Sequence, residues 1–295
     1  MHIRAGFEIT YEANGETPMS LLLSVHPDRR PDLVTPDILQ VDPAVPIDQH
    51  VDLFGNLVSR VTAPGGPITF RSDFIIADSG LPEPHDWSAR QHPVNELPDA
   101  VLPFLLGSRY CETDRMGDLA WAQFGAVEPG WPRLQAILDY AHQRIRFGYE
   151  HARNTRTAYE ANAEGIGVCR DYAHLAITLC RCMNIPARYC TGYLGDIGVP
   201  PVDAEMDFSA WFEAWLGGRW HTVDARHNRR RIGRIVIARG RDATDVAIST
   251  AFGTPLLLGF KVVTEAVDAP PAERRPASRG AAGPVRPDGE ALAAE

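Results

Sequence analysis

The sequence predicts an α+β protein: a β-rich N-terminal region, then a core in which a helix bearing a cysteine at its N-terminus packs on an antiparallel sheet. Three observations lead there. The first eighty residues carry mixed apolar and polar runs broken by Pro and Gly. From Trp131 the apolar spacing changes to three and four residues, the period of a helix. After a second apolar helix come four short strand-like segments in succession, separated by turns.

Taken in order, residues 3–12 and 18–25 read as strands, and Pro27, Pro31, Pro36 and Pro43 punctuate the stretch after them. VDLFGNLVSRVTAPGGPITFRSDFIIAD has a Gly-Asn turn between apolar runs, then Pro-Gly-Gly and the alternating ITFRSDFII, which predicts a hairpin and a further strand. This β-rich region spans 1–79. A connector over 80–130 contains Pro82, Pro84, Pro93 and Pro98, with short helical pieces in LPFLLGSRY and GDLAWAQFG. The core runs from 131 to 267. Leu134, Ile137, Leu138, Ala141 and Ile145 form one stripe of an amphipathic helix. In GIGVCRDYAHLAITLCRCMNIP two glycines precede Cys169, and Leu175, Ala176, Leu179 and Met183 recur helically before Pro186, so Cys169 sits at or just before a buried helix's N-terminus. RYCTGYL, FSAWFEAWL, RWHTVDA and GRIVIARG supply the four strands. The tail, 268–295, is too poor in apolar bulk to offset its ordering entropy and reads as disordered.

Composition narrows the function classes. The 295 residues are 44% hydrophobic and 23% charged, as in ordinary globular proteins, and no apolar stretch approaches the ~20 residues that span a bilayer. The N-terminus, MHIRAGFEITYE, lacks the pattern of a secretory signal, which leaves the cytoplasm as the expected location. Five cysteines, an odd number, argue against a disulfide framework. A net charge of −9 argues against nucleic acid or anionic membrane as partners. There is no phosphate-binding glycine loop, EF-hand pattern or dinucleotide fingerprint, so no cofactor is implied. Cys180 and Cys182 lie about 200° apart around a helix, which disfavours a metal site.

Cys169 is the candidate nucleophile. A helix N-terminus favours the thiolate, and the amides there can stabilise an oxyanion. Gly165 and Gly167 let the backbone turn sharply and approach a substrate. The competing reading is an inert, small apolar residue at a helix start.

GVCRDYAHLAITLCRCMNIPARYCTGYL, followed by DFSAWFEAWLGGRWHTVDARHN, resembles the core of the bacterial transglutaminase-like superfamily, whose fold is related to papain-type thiol proteases. The resemblance covers roughly residues 130–245, and VDLFGN with its neighbouring strands resembles the β-rich region preceding this core in bacterial members. In that family a cysteine at a helix start, the histidine of His-Ala-Trp-x-Glu and an aspartate on the next strand form a triad. The resemblance maps the cysteine to Cys169 and the aspartate to Asp224, and it puts Ser209 where the histidine belongs. A serine is no general base near neutral pH, which leaves Ser209 to orient a water or bond the thiol.

Ten histidines are available as substitutes. His227, three residues after Asp224 at a strand's end, is the first choice. His221 falls on the opposite strand face from Asp224, His174 lies about 140° around the helix from Cys169, and His151 sits on a loop. Each also reads as an ordinary surface or core residue. Trp211 and Glu213 read as structural. The run Arg226, Arg229, Arg230, Arg231, Arg234 is either a solvated loop or a clamp for an acidic substrate or partner near Arg229 to Arg231. The expected function is a cysteine-dependent hydrolase or acyl transferase acting on peptide or protein amides, with hydrolysis ahead of cross-linking. The alternative is a binding or scaffold module that kept the fold and lost the base.

Overall fold

A computed structural model describes residues 1–201 and 206–268. The strands of the N-terminal region are β1 (His2–Ala13), β2 (Thr17–Leu21), β3 (Gln40–Asp42), β4 (Asp48–Val51), β5 (Leu57–Ala63) and β6 (Gly66–Ala77). In β1, buried Ile3, Ala5, Phe7 and Ile9 alternate with outward Arg4 and Glu8, the period-two pattern of a half-buried strand. β6 answers with Ile68, Phe70, Phe74 and Ile76, all at most 1% exposed. The predicted hairpin joins β4 to β5 through a turn in which Gly55 takes φ +86°, a conformation glycine adopts without a Cβ penalty.

Helices dominate the middle of the chain. The segment LPFLLGSRY is 3-10 rather than α-helical over Asp99–Leu105, where Pro103 removes a backbone donor. Next come α1 (Thr113–Phe124), α2 (Trp131–Arg144), the two-residue strand β7 (Arg146–Phe147), α3 (Ala158–Glu164), β8 (Ile166–Gly167), which pairs in parallel with β7, and α4 (Cys169–Cys182). On α2 the predicted stripe is real: Leu134, Ile137, Leu138 and Ala141 are at most 2% exposed. Each such Leu or Ile contributes about 1.5–3 kcal/mol through burial. α4 is enclosed by α1, α2, α3 and the core sheet, with Asp171 through Arg181 buried without interruption. It ends where Asn184 turns left-handed, two residues before Pro186.

The core sheet contains β9 (Ala187–Tyr193), β10 (Ser209–Leu216), β11 (Arg219–Val223) and β12 (Ile235–Gly240) in the antiparallel order β11-β10-β9-β12. These are the four strands expected from the sequence. The last described strands, β13 (Ser249–Ala251) and β14 (Leu256–Val267), depart from expectation. Placed by sequence with the core, they return to the N-terminal region, β13 onto β2 and β14 onto β1 along its whole length. β1 and β14 are both twelve residues long, so the return covers an edge that β6 leaves open. The two resulting sheets are ordered β14-β1-β6-β3 and β13-β2-β5-β4.

The FGN turn is one point at which this region is fastened to the core. Asp52 Oδ1 accepts the N–H groups of Phe54 and Asn56 at 2.8 and 2.9 Å, fixing the turn. The fully buried Asn56 then donates to the Arg239 carbonyl on β12 at 2.8 Å and accepts its N–H at 2.8 Å. No helix among the described residues is long and apolar enough to cross a membrane. The Ala- and Pro-rich tail, expected to be disordered, lies outside the described residues from Ala269 onward.

Candidate active site

Cys169 is the first residue of α4, and the residues before it explain its placement. Gly165, at φ +66°, ends α3 in the left-handed region. A Cβ on Gly167 would lie 2.6 Å from Asp171 Oδ2. Only glycine there lets the Asp171 carboxylate reach back to the Val168 N–H at 2.9 Å, capping the helix one residue before the thiol. Asp171 is in turn paired with Arg156 at 3.2 Å.

The thiol opens on a cavity of about 130 Å³ between α4, the start of β10 and the loop after β11. Cys169, Ser209, Arg226 and His227 all line it, with Asp207 and the aromatic rings of Phe147, Tyr149 and Phe208. Burial pushes the Cys169 thiol up from its ordinary value. The Arg226 guanidinium and the Ala210 N–H pull against that shift, and Asp207 and Asp224 add to it. Burial is the largest of these influences, and its direction is opposite to the thiolate expected from the helix start.

The turn after β11 brings the aspartate and a histidine together. Asp224 Oδ1 accepts the His227 N–H at 3.1 Å and the Asp224 carbonyl accepts the Asn228 N–H at 2.8 Å, a single helical turn capped by its own first residue. That geometry brings His227 Nδ1 to 2.9 Å from Asp224 Oδ2. With its proton on Nδ1, the ring has Nε2 as its lone-pair nitrogen. Helix α2 braces the turn: Asn228 donates to Asp139 at 2.7 Å, and His142 Nδ1 lies 2.9 Å from the Arg226 carbonyl.

Asp224 is 5% exposed, and burial alone would raise its pKa. Arg234, donating to Oδ2 at 2.6 Å, and His227 reverse this and hold the carboxyl well below the usual carboxylate range. Arg234 also pairs with Glu83 from the connector. Nothing in the spacing from Asp224 to Arg234 marks this bond in the sequence, and the brace from α2 has no local signal either.

The other candidates lie elsewhere. His221 faces away, its Nε2 3.1 Å from the Leu216 carbonyl and its ring edge-on to Trp131. His174 is fully buried on α4, stacked on Tyr110 and accepting the Ala243 N–H at 3.2 Å. His151 sits in a 3-10 turn 3.5 Å from Glu150. Glu213 is paired with Arg188 and Arg239, and Trp211 lies under Arg234. Two arginines of the basic run are engaged within the chain. Arg231 turns inward to the Gly195 carbonyl at 2.8 Å and Arg230 bonds the Pro82 and Glu83 carbonyls, because the connector offers acceptors along this loop. Among the described residues no cluster of His, Cys, Asp or Glu could hold a metal, and all five cysteines are free thiols.

Comparison with known proteins agrees with this architecture. The family model of the transglutaminase-like superfamily matches residues 120–225, a span that holds Cys169, Ser209 and Asp224 and ends before His227. The solved structure of a candidate cysteine protease from Cytophaga hutchinsonii is similar with a TM-score of 0.78, at 29% identity over 92% of each chain. An uncharacterized protein of Mycobacterium tuberculosis is 30% identical over 234 residues, 70% of this chain and 73% of its own length. An uncharacterized protein of Mycobacterium leprae is 40% identical over 87 residues, a match that spans only 30% of that protein and 28% of this one. With a relative matched along most of both chains, a shared core motif and a common fold, the chain belongs to the transglutaminase-like superfamily.

Proposed function

We propose that the protein is a cysteine-dependent amide hydrolase, or an acyl transferase of the same chemistry, with Cys169 as nucleophile, His227 as base and Asp224 as the group that orients the base. One observation carries the reading: a cavity lined by a cysteine at a helix start is also lined by a histidine whose Nδ1 is bonded to a buried, ionised aspartate. His227 thus supplies the imidazole missing at position 209.

The chemistry grows out of that arrangement. The thiol rests protonated, because burial disfavours the lone thiolate. As sulfur attacks the amide carbonyl, His227 Nε2 takes the thiol proton, and Asp224 stabilises the imidazolium that forms. The oxyanion is met by the Cys169 N–H, one of the first-turn amides that have no intrahelical acceptor. His227 then protonates the departing amine, leaving a thioester on Cys169. Water or a second amine, deprotonated by His227, releases the acyl group and restores the thiol. The candidate protease from Cytophaga hutchinsonii, similar over 92% of its chain, favours hydrolysis.

Ser209 serves in this reading as a cavity wall and polar neighbour of the thiol. It pairs across the sheet with Gly192, whose missing Cβ allows Ile235 and Trp211 to close in. The test uses peptide amides with Cys169→Ala, His227→Ala and Ser209→His variants. Turnover is expected to vanish in the first, fall by about 100-fold or more in the second, and fall in the third, where an imidazole would fill the cavity. A rise in Ser209→His would assign the base to position 209 and sink the His227 assignment.

A further inference from the structure

Arg234 Nη2 donates to Asp224 Oδ2 at 2.6 Å, and His227 Nδ1 lies 2.9 Å from the same oxygen. One carboxylate oxygen therefore serves a guanidinium and an imidazole together, while Oδ1 takes the His227 N–H at 3.1 Å. With both oxygens engaged, the carboxylate is fixed against rotation. The guanidinium lies over the Trp211 ring, 4.9 Å from its centre, and Arg234 is only 7% exposed. Burial opposes its charge, but Asp224 and Glu83 outweigh burial and raise its pKa. Glu83 takes Arg234 Nε while Asp224 takes Nη2, so two carboxylates share one cation. The connector holds Glu83 in place. Its N–H donates to the Arg231 carbonyl at 3.1 Å, its Oε2 accepts the Arg231 N–H at 3.3 Å, and its carbonyl accepts Arg230 Nε at 2.5 Å. Pro82 and Pro84, on either side, fix φ and stiffen the segment.

Charge decides what this arrangement does to the base. Asp224 supports an imidazolium on His227 by its negative charge, and a cation sharing Oδ2 cancels part of that support. A second carboxylate on the same cation returns some of it. We infer that Arg234 is a positioning residue that holds Asp224 for His227, and that Glu83, carried by the connector, moderates the charge of Arg234 and so sets how strongly Asp224 supports the base. A guanidinium present for packing alone would be satisfied by Glu83; this one also takes the oxygen that faces the imidazole. The inference rests on the reading of His227 as base and adds to it a control that lies outside the cavity. Other charged or titratable groups surround the pair. Cys169 comes from α4, Arg226 from the same turn, Tyr149 from the 3-10 turn after β7, Asp196 from beyond β9, Asp207 from before β10 and Arg231 from before β12. From α2, Asp139 reaches the turn through Asn228, and His142 lies against the Arg226 carbonyl. All of these stay the same when only positions 83 and 234 are changed, so differences among such variants report the outer pair.

The experiment measures the rate of Cys169 acylation by p-nitrophenyl acetate against pH, on the full-length protein and on its Glu83→Gln, Arg234→Gln and Arg234→Lys variants. The acid limb of that profile marks where the base loses its proton. Glu83→Gln keeps an acceptor for Arg234 and removes only the charge, which leaves the guanidinium stronger against an imidazolium; the limb should move to lower pH by about half a unit or more. Arg234→Gln removes the opposing cation, so the limb should move to higher pH, and the plateau rate should fall by about tenfold because the carboxylate is no longer held. Arg234→Lys should return the limb toward its original position, since it restores the charge. Loss of packing alone would lower rates and leave the limb where it was. Limbs that stay put, or that move the same way in Glu83→Gln and Arg234→Gln, overturn the inference. If Arg234→Gln fails to fold, Glu83→Gln decides by itself: a limb at lower pH supports the inference and an unmoved one overturns it. Acylation with unmoved limbs defeats the outer pair alone, whereas absence of acylation in the unaltered protein defeats the Cys169 reading and this inference with it.

Discussion

At the scale of residues, the thiol and its neighbours compete. The Cys169 thiolate is favoured by Arg226 and by the Ala210 N–H, and burial opposes it more strongly. Alkylation of Cys169, measured by peptide mass spectrometry against pH, should therefore show a midpoint above the about 8.5 of a model thiol. Arg226→Ala should raise that midpoint further and Asp207→Asn should lower it; a shift of the wrong sign in either would mean that the charge does not face the sulfur. Asp224→Asn removes the charge that stabilises a His227 imidazolium, and acylation should slow by about 100-fold or more with the fold retained. The placement of Cys169 at a helix start and of His227 beside Asp224 was legible in the sequence, because helix-start position and i to i+3 spacing are local signals. Arg234 and Asp207 were not, since their roles depend on where the connector and the start of β10 come to rest.

The elements explain why the thiol is held where it is. α4 is buried on every side, and its polar residues are bonded locally or to the surrounding chain: Thr178 donates to the His174 carbonyl at 2.7 Å, and Arg181 donates to the carbonyls of Leu106, Ala187 and Arg241. A helix so enclosed cannot shift to accommodate a substrate, so the cavity is shaped in advance. Gly167 is its most sensitive point. Gly167→Ala forces the new methyl against Asp171, and unfolding in urea should show a loss of about 1–3 kcal/mol together with slower acylation of Cys169. Unchanged stability would mean that Asp171 moves aside freely. Periodicity made α2, α4 and the four core strands readable. It could not separate the 3-10 turn at Asp99–Leu105 from an α-helix, since both carry apolar residues at three-residue spacing.

Across the whole molecule the chain folds back on itself. The pairing of β14 with β1 joins residues about 260 positions apart, and no local pattern announces a partner at that separation. The same long reach joins His26, after β2, to Arg239 on β12, with Arg239 Nη1 3.1 Å from His26 Nδ1. Burial first, and then Arg239, push the His26 imidazole down from 6.5 to about 4. Between those values the unfolded chain binds a proton that the folded chain refuses, so stability is complete above pH 6.5 and falls as pH drops toward 4. His174, pushed down to about 3 by burial, acts in the same direction. The melting temperature should decline over that interval, with His26 responsible for on the order of 2 kcal/mol, and His26→Gln should flatten the decline. A decline of equal steepness in the variant would remove His26 as its source.

The most direct test of the site tracks the acyl group. The protein is mixed with p-nitrophenyl acetate and sampled in time by intact-protein and peptide mass spectrometry. One acetyl group per chain should form on Cys169 and then disappear. In His227→Ala it should form about 100-fold more slowly and persist, because the same imidazole serves both attack and release. Acetylation on another residue, or wild-type kinetics in His227→Ala, would contradict a Cys169 nucleophile served by the His227–Asp224 pair.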